Sequence, residues 1–308
     1  MIKNKNILVT GGAGFIGSNL VKELVETGNS VKIIDNFSTG YPANLEPFPS
    51  VKIIYGDIRD KSAINNAMKD IEIVFHLAAS VGNKRSIEDP IYDSDVNILG
   101  TIQVLEAARK TKIQKIVVTS SAAIYGELKF LPITESHPVE PDSPYGCSKL
   151  AEEKLALAYA KMYNMNIVCL RYFNVYGPNQ RYDAYGSAIP IFVSNMIKNI
   201  PTLVYGDGDQ TRDFVNVYDV VQANIKAAST DNIHGVFNIG SGKSVTINEI
   251  IKIILKNNKA DVIHKPERMG EIRHSVADIS SAHASFDYTP SVNLEEGIND
   301  YIKWAKNL

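Results

Sequence analysis

Tyr145 and Lys149 lie four residues apart in the run Tyr145-Gly-Cys-Ser-Lys149, a spacing that puts both side chains on one face of a helix, about a turn apart. A free tyrosine, with a pKa near ~10, is a poor base at neutral pH. A fixed ammonium beside it favours the phenolate and lowers that pKa. Ser121, in the upstream run Thr119-Ser-Ser-Ala-Ala-Ile-Tyr125-Gly126, offers a hydroxyl that can hydrogen-bond the same substrate oxygen. A base aimed at an alcohol is the equipment for its oxidation, provided a hydride acceptor lies alongside. Amphipathic helices produce a Tyr-x-x-x-Lys spacing by chance, so the assignment depends on what the rest of the chain places around it.

The N-terminal segment supplies the acceptor. Residues 6–9 (Asn-Ile-Leu-Val) read as a short buried strand, followed by Thr10-Gly11-Gly12-Ala13-Gly14-Phe15-Ile16-Gly17. From Ser18 to Thr27, Leu20, Val21, Leu24 and Val25 recur at helical spacing. Between a strand and a helix, Gly11 permits the tight turn, Gly14 the close approach of a pyrophosphate, and Gly17 close helix–strand packing. The unpaired N–H groups of the helix N-terminus then face the phosphates, with Phe15 and Ile16 in that first turn. The next hydrophobic run, Val31-Lys-Ile-Ile34, ends at Asp35, eighteen residues after Gly17, and Asn36 follows. A carboxylate there binds both ribose hydroxyls of an adenosine and repels a 2′-phosphate, so NAD is expected rather than NADP. Asp35 is an ordinary cap or turn residue only if the glycine loop is a coincidence.

The elements that must hold these groups can be read from the same pattern. Short Val/Ile-rich runs at 31–35, 51–55, 71–76, 115–119 and 166–170 show little alternation, as fully buried parallel strands do. Helical stretches lie between them near 60–69, 90–110 and 145–163. Repeated strand–helix alternation predicts an α/β fold, a doubly wound parallel (Rossmann) sheet, with a smaller C-terminal α/β substrate lobe. After Arg171 the chain turns loop-rich, with Gly177, Pro178, Gly186, Pro190, Pro201, Gly206 and Gly208, before residues 214–229 and 236–240 return to helix and strand. Ile247 to Leu255 and Leu294 to Trp304 read as helices. The expected division is 1–171 with 213–240 for the dinucleotide domain, and 172–212 with 241–308 for the substrate lobe, the two interleaved.

The 308 residues carry 32 Lys and Arg against 34 Asp and Glu, a net charge of −2. That balance leaves no electrostatic footprint for nucleic acid or an anionic membrane. Two cysteines, Cys147 and Cys169, cannot build a disulfide framework and are expected as packing residues in a reducing compartment. The first strand begins almost at once, leaving no room for a signal peptide, and no apolar stretch approaches the ~20 residues of a membrane span. A cytoplasmic protein is expected. The six histidines are scattered without ligand spacing, so no metal is expected.

The motifs together resemble the extended short-chain dehydrogenase/reductases, specifically nucleotide-sugar 4-epimerases of the UDP-glucose/UDP-N-acetylglucosamine type. The resemblance covers essentially the whole chain. It rests on the glycine loop, Gly56-Asp57-Ile58-Arg59, His76-Leu77-Ala78-Ala79, Asn97, Ser120-Ser121-Ala-Ala-Ile-Tyr125-Gly126 and Tyr145-x-x-x-Lys149. It continues through Arg171-Tyr172-Phe-Asn174-Val-Tyr-Gly177, Gly208-x-x-x-Arg212-Asp213 and Arg268-Met-Gly-Glu271-Ile-Arg-His-Ser275.

By that resemblance, Asp57 and Ile58 flank the adenine, while Leu77, Ala78 and Ala79 line the pyrophosphate and ribose. Asn97 and Tyr172 help hold the dinucleotide, and Lys149 also bonds the nicotinamide ribose. Asn174, Arg212 and Arg268 reach the substrate diphosphate, Tyr205 stacks on uracil, and Glu271 bonds its ribose. An arginine is ordinarily a solvated surface residue, but a planar fork suits phosphate oxygens. Tyr205 and Asn174 read as readily as a core aromatic and a turn residue. Ser275, three residues before Asp278, borders the sugar's C2 substituent and leaves room for an N-acetyl group.

The resembling 4,6-dehydratases and decarboxylases carry an acidic residue just after the serine or threonine of the Ser121 motif. Here those places are Ala122 and Ala123, and methyl groups transfer no protons. The implied reaction is C4 epimerisation of a UDP-hexose, with UDP-GlcNAc/UDP-GalNAc favoured and NAD tightly held. The alternatives are an enzyme restricted to UDP-glucose/UDP-galactose, a UDP-uronate epimerase, or a non-catalytic NAD-binding regulator on the same fold. The resemblance also implies a homodimer through a four-helix contact.

Overall fold

Runs such as Ile7-Leu-Val9 and Ile116-Val-Val118 are apolar on both faces and must be covered on both. They become strands of one parallel sheet in a computed structural model that describes residues 2–182, 187–256, 258, 260–267 and 272–308. The strands are β1 (Asn6–Thr10), β2 (Ser30–Asp35), β3 (Lys52–Tyr55), β4 (Ile73–His76), β5 (Lys115–Ser121) and β6 (Ile167–Tyr172). Next come β7 (Asn174–Tyr176), β8 (Thr202–Tyr205), β9 (Thr211–Arg212) and β10 (Phe214–Asn216). Then β11 (Gly235–Ile239) returns to the sheet beside β6, and β12 (Val245–Thr246) and β13 (Val262–Lys265) follow. The seven-stranded order is β11-β6-β5-β4-β1-β2-β3, and the direction of strand progression reverses between β1 and β4. The remaining strands form two-stranded pairs: β7 with β10, β8 with β13, and β9 with β12.

Helices cover both faces. α1 (Phe15–Glu26), α2 (Lys61–Ala67), α3 (Asn83–Glu88), α4 (Pro90–Ser94) and α5 (Thr101–Thr111) lie in the first half. α6 (Pro144–Tyr163), α7 (Ala188–Ile197), α8 (Val217–Ser229), α9 (Ile247–Leu255), α10 (Ser280–Phe286) and α11 (Leu294–Ala305) follow. On one face Leu20 and Leu24 of α1 and Val220 of α8 pack with Ile7 and Val9. On the other, Ile64, Val104, Leu105 and Ala156 pack with Leu8, Val74 and Ile116. A third core joins α7, α9 and α11 through Phe192, Val193, Ile250, Ile254 and Ile298. Ala282, Phe286 and Tyr288, far along the chain, belong to the first of these cores. Each fully buried aliphatic or aromatic side chain contributes about 1.5–3 kcal/mol of transfer free energy.

Three details depart from the pattern read in the sequence. The stretch 90–110 is not one helix: α4 runs into a π-helical turn at Asp95–Gly100 before α5 begins. That turn carries Asn97 inward, and Gly100 lies so close to Ile58 that a Cβ there would meet its Cδ1 at 2.6 Å. The segment read as loop-rich holds α7, with Pro190 in its first turn, where proline is tolerated. Cys169 is buried as expected, but Cys147 is exposed, because it points away from the face of α6 that packs on the sheet.

Candidate active site

The carboxyl ends of β1, β2, β4, β5 and β6 open onto a cavity of about 960 Å³ at the point where strand order reverses. Gly11 has φ +69°, and a Cβ on it would sit 2.8 Å from the Ala78 backbone. A Cβ on Gly17 would strike the carbonyl oxygen of Gly11, so the loop can close this tightly only with glycine at both places. Asp35, buried at the end of β2, accepts Ala13 N–H at 2.9 Å and Phe37 N–H at 2.8 Å. Burial raises its pKa, and those two amides pull it back. Asn36 donates to Asp57 Oδ2 at 2.8 Å, and Arg59 holds Asp57 well below the usual carboxylate range, at about 2. A glycine-built cradle at a helix N-terminus, with a carboxylate eighteen residues beyond, fits a dinucleotide pyrophosphate and adenosine ribose.

At the other end of the cavity Ser143 caps α6, accepting Gly146 N–H at 3.1 Å, with Pro144 at the first helical position. This start sets Tyr145 in the first turn and Lys149 one turn later, both on the cavity wall with Ser121 from the end of β5. The Ser121 side chain hydrogen-bonds Tyr145. Lys149 is 1% exposed, and its Nζ donates to Thr119 O at 2.6 Å and to Glu152 Oε2 at 2.5 Å. Burial disfavours the ammonium, yet Glu152 and Tyr145 hold its pKa above the ordinary value. The Tyr145 phenol is likewise raised, chiefly by burial, against the pull of Lys149 and Ser121. The sequence reading, with only the ammonium in view, expects the opposite sign. The difference comes from burial and from two carboxylates, Glu152 and Asp93, that the reading missed.

Behind the lysine lies a polar layer. Asp93 is fully buried and accepts from Ser148 Oγ at 2.5 Å. His76 spans Thr10 Oγ1 at 2.8 Å and Thr101 Oγ1 at 2.9 Å. Thr10 Oγ1 already accepts the Leu77 and Ala78 amides, so its proton goes to His76 Nδ1 and the imidazole carries its own on Nε2. Glu152 was legible in principle: it sits at i+3 from Lys149, on the same helical face.

Most of the residues singled out from sequence converge on the cavity. Gly11, Gly14, Phe15, Ile16 and Gly17 line one wall; Asp35, Asn36, Asp57 and Ile58 line its far end. Leu77, Ala78, Ala79, Tyr172 and Asn174 complete the wall toward Ser121, Tyr145 and Lys149. Asn97 does not line it; its side chain accepts Ser80 N–H at 2.8 Å and donates to Ser80 O at 3.0 Å, fixing the loop after β4. Tyr205 and Arg212, both half-buried, and buried Ser275 also lie off the cavity wall. Arg212 donates to Thr211 O at 2.9 Å. Arg268 and Glu271 fall outside the described residues. The reading missed Tyr41 and Arg181, which line the cavity with the guanidinium 3.9 Å from the ring centre. No motif marks either residue.

Comparison with known proteins places this architecture. Residues 8–301 match a family model described as GDP-mannose 4,6 dehydratase. A putative UDP-glucose 4-epimerase of Methanocaldococcus jannaschii is 43% identical over 305 residues, 98% of each chain. A UDP-N-acetylglucosamine 4-epimerase from Methanobrevibacter ruminantium, solved with UDP-N-acetylmuramic acid, superposes with a TM-score of 0.94 at 38% identity, covering 98% of both chains. The UDP-glucose 4-epimerase of Thermus thermophilus, solved as a complex with NAD, gives a TM-score of 0.89 at 35% identity, covering 97% of this chain and 98% of that one. The chain therefore belongs to the extended short-chain dehydrogenase/reductase family, with the UDP-glucose/UDP-N-acetylglucosamine 4-epimerases, and its cofactor is NAD.

Proposed function

We propose that this enzyme interconverts the C4 epimers of a UDP-hexose, with UDP-GlcNAc and UDP-GalNAc the favoured pair. One observation carries the reading: Tyr145, Lys149 and Ser121 meet at one end of the dinucleotide cavity, and Ala122 and Ala123 follow the serine. Tyr145 takes the proton of the C4 hydroxyl, Ser121 hydrogen-bonds the same oxygen, and the Lys149 ammonium stabilises the phenolate. Bound NAD supplies a hydride acceptor and donor; the chain contributes positioning and proton transfer. With no acid beside Ser121, nothing there assists loss of water or of carbon dioxide. Gly11, Gly14, Phe15, Ile16, Gly17, Asp35, Asn36, Asp57, Ile58, Leu77, Ala78, Ala79 and Tyr172 hold the cofactor, and Asn97 acts through the Ser80 loop. Asn174, Tyr205, Arg212, Arg268, Glu271 and Ser275 serve the UDP-sugar.

The test is incubation of the wild type and Tyr145→Phe with UDP-GlcNAc and UDP-glucose separately, followed by separation of the 4-epimers. Loss of the phenol is expected to cost about 10²–10⁴ in turnover while NAD remains bound. Near-normal turnover by Tyr145→Phe overturns the roles, and no product from either substrate overturns the activity. The exposed apolar side chains Ile87 of α3, Ile91 of α4, Leu99 and Met162 of α6 support a homodimer, which light scattering would measure. Among the described residues no helix is long and apolar enough to cross a membrane.

A further inference from the structure

Glu152 is 1% exposed, and its Oε2 lies 2.5 Å from Lys149 Nζ. With Thr119 O holding a second donor of that ammonium at 2.6 Å, the third is left for the cavity side. The other carboxylate oxygen, Oε1, has no hydrogen-bond partner among the described residues, and stands 3.8 Å from His76 Nε2. A buried carboxylate satisfied on one side only is a poor device for stability, since an apolar side chain of similar size fills the space without the desolvation cost. We infer that Glu152 is a positioning residue: one oxygen aims the Lys149 ammonium, and the proton on its carboxyl decides how much of the ammonium's field reaches Tyr145. The inference rests on Tyr145 being the base.

The groups around Glu152 are consistent with such a switch. Lys149, Tyr145 and Glu153 face it from α6, Asp93 from α4, His76 from β4 and Cys169 from β6. His76 supplies no counter-charge: burial, with the Lys149 ammonium, lowers its pKa to about 3. Cys169 stays a thiol because burial pushes it up, and Arg171 pairs with Glu153. Burial, opposed by Lys149 and reinforced by Glu153 and Asp93, brings Glu152 to about 7. An ionised Glu152 therefore cancels the ammonium at the phenol, and a protonated one releases it.

The experiment uses the NAD-loaded enzyme and Glu152→Gln, which keeps the shape and removes the charge. The readout is the ultraviolet tyrosinate titration of Tyr145, isolated as the difference from Tyr145→Phe in each background, alongside the pH profile of kcat/KM. In Glu152→Gln both the titration and the acid limb of the profile are expected to move down by about one pH unit. A titration and limb that stay in place overturn the inference. Should the variant fail to fold, the wild type is read by infrared difference: a buried carboxylic-acid carbonyl band must vanish as pH rises through neutrality. Its absence there overturns the inference. Near-normal turnover by Tyr145→Phe instead overturns the reading on which it rests, so the two failures are separable.

Discussion

Arg171 grips Glu153 with both arms of its guanidinium, Nε to Oε2 at 2.9 Å and Nη2 to Oε1 at 2.7 Å, with both side chains buried. Ser120 donates to the same Oε2 at 2.7 Å, and Arg171 Nη1 reaches the Tyr125 hydroxyl at 2.8 Å. The pair thus pins α6, four residues beyond Lys149, to the ends of β5 and β6 that carry Ser121 and Tyr172.

Breaking this clamp should cost both stability and rate. Glu153→Ala leaves a guanidinium buried without its counter-ion, a loss of about 3–5 kcal/mol. Chemical denaturation should show it, and turnover should fall more than cofactor content. A change below ~1 kcal/mol would mean that α6 is held by its apolar face alone.

Gly17→Ala should empty the enzyme of NAD. The new methyl meets a backbone carbonyl, Gly11 O, which cannot swing aside without opening the turn that faces Ala78. Acid extraction is expected to find little NAD in a protein whose circular dichroism is unchanged. Full NAD content would show that the loop relaxes at no cost.

His76 makes stability fall with acid. Its pKa, lowered by burial and then by Lys149, is about 3 in the fold against an ordinary 6.5. Above 6.5 neither the folded nor the unfolded imidazole is charged, and the contribution is fully present. As pH falls from 6.5 toward 3 the unfolded chain takes up a proton that the buried ring refuses, so stability declines by about 1.4 kcal/mol per pH unit. The loss reaches ~2 kcal/mol by about pH 5. His76→Asn should unfold with a shallower dependence on pH over that interval, measured by urea midpoints. Equal slopes would assign the acid sensitivity to other groups.

What could be read from sequence follows from how local each signal is. The glycine loop, Asp35 and the Tyr145–Lys149 spacing are set within one strand–turn–helix unit, and these residues line the cavity. The parallel sheet was legible because Val/Ile runs without alternation have no exposed face to offer. Asp93 and Arg181 gain their meaning from partners on other elements, which a linear pattern does not show, whereas Glu152 stands at i+3 from Lys149 and only its burial needs the fold. The sign of the Tyr145 shift was misread for the same reason: burial is a property of the assembled fold. The seat of Gly100 against Ile58, at the end of the break in the 90–110 helix, joins residues far apart along the chain, which no local pattern shows.

Substrate choice is the prediction that reaches furthest from the described cavity. Ser275 is 8% exposed, so a larger side chain there must displace its neighbours. The next residues are anchored: Val276 O accepts Ile133 N–H at 2.8 Å, and Ala277 N–H donates to Asp213 Oδ2 at 3.1 Å. A tyrosine at 275 therefore cannot be absorbed by sliding the strand-like segment, and we propose that its volume is taken from the sugar's C2 substituent. Overpacking costs about 1–3 kcal/mol, which converts to a selectivity change of roughly tenfold to a hundredfold. Ser275→Tyr is expected to depress kcat/KM for UDP-GlcNAc and UDP-GalNAc by that factor relative to UDP-glucose, with NAD content unaltered. Ser275→Ala, which adds nothing, should keep the wild-type preference. Equal losses on plain and N-acetylated substrates, or none on either, would move the gate to another residue.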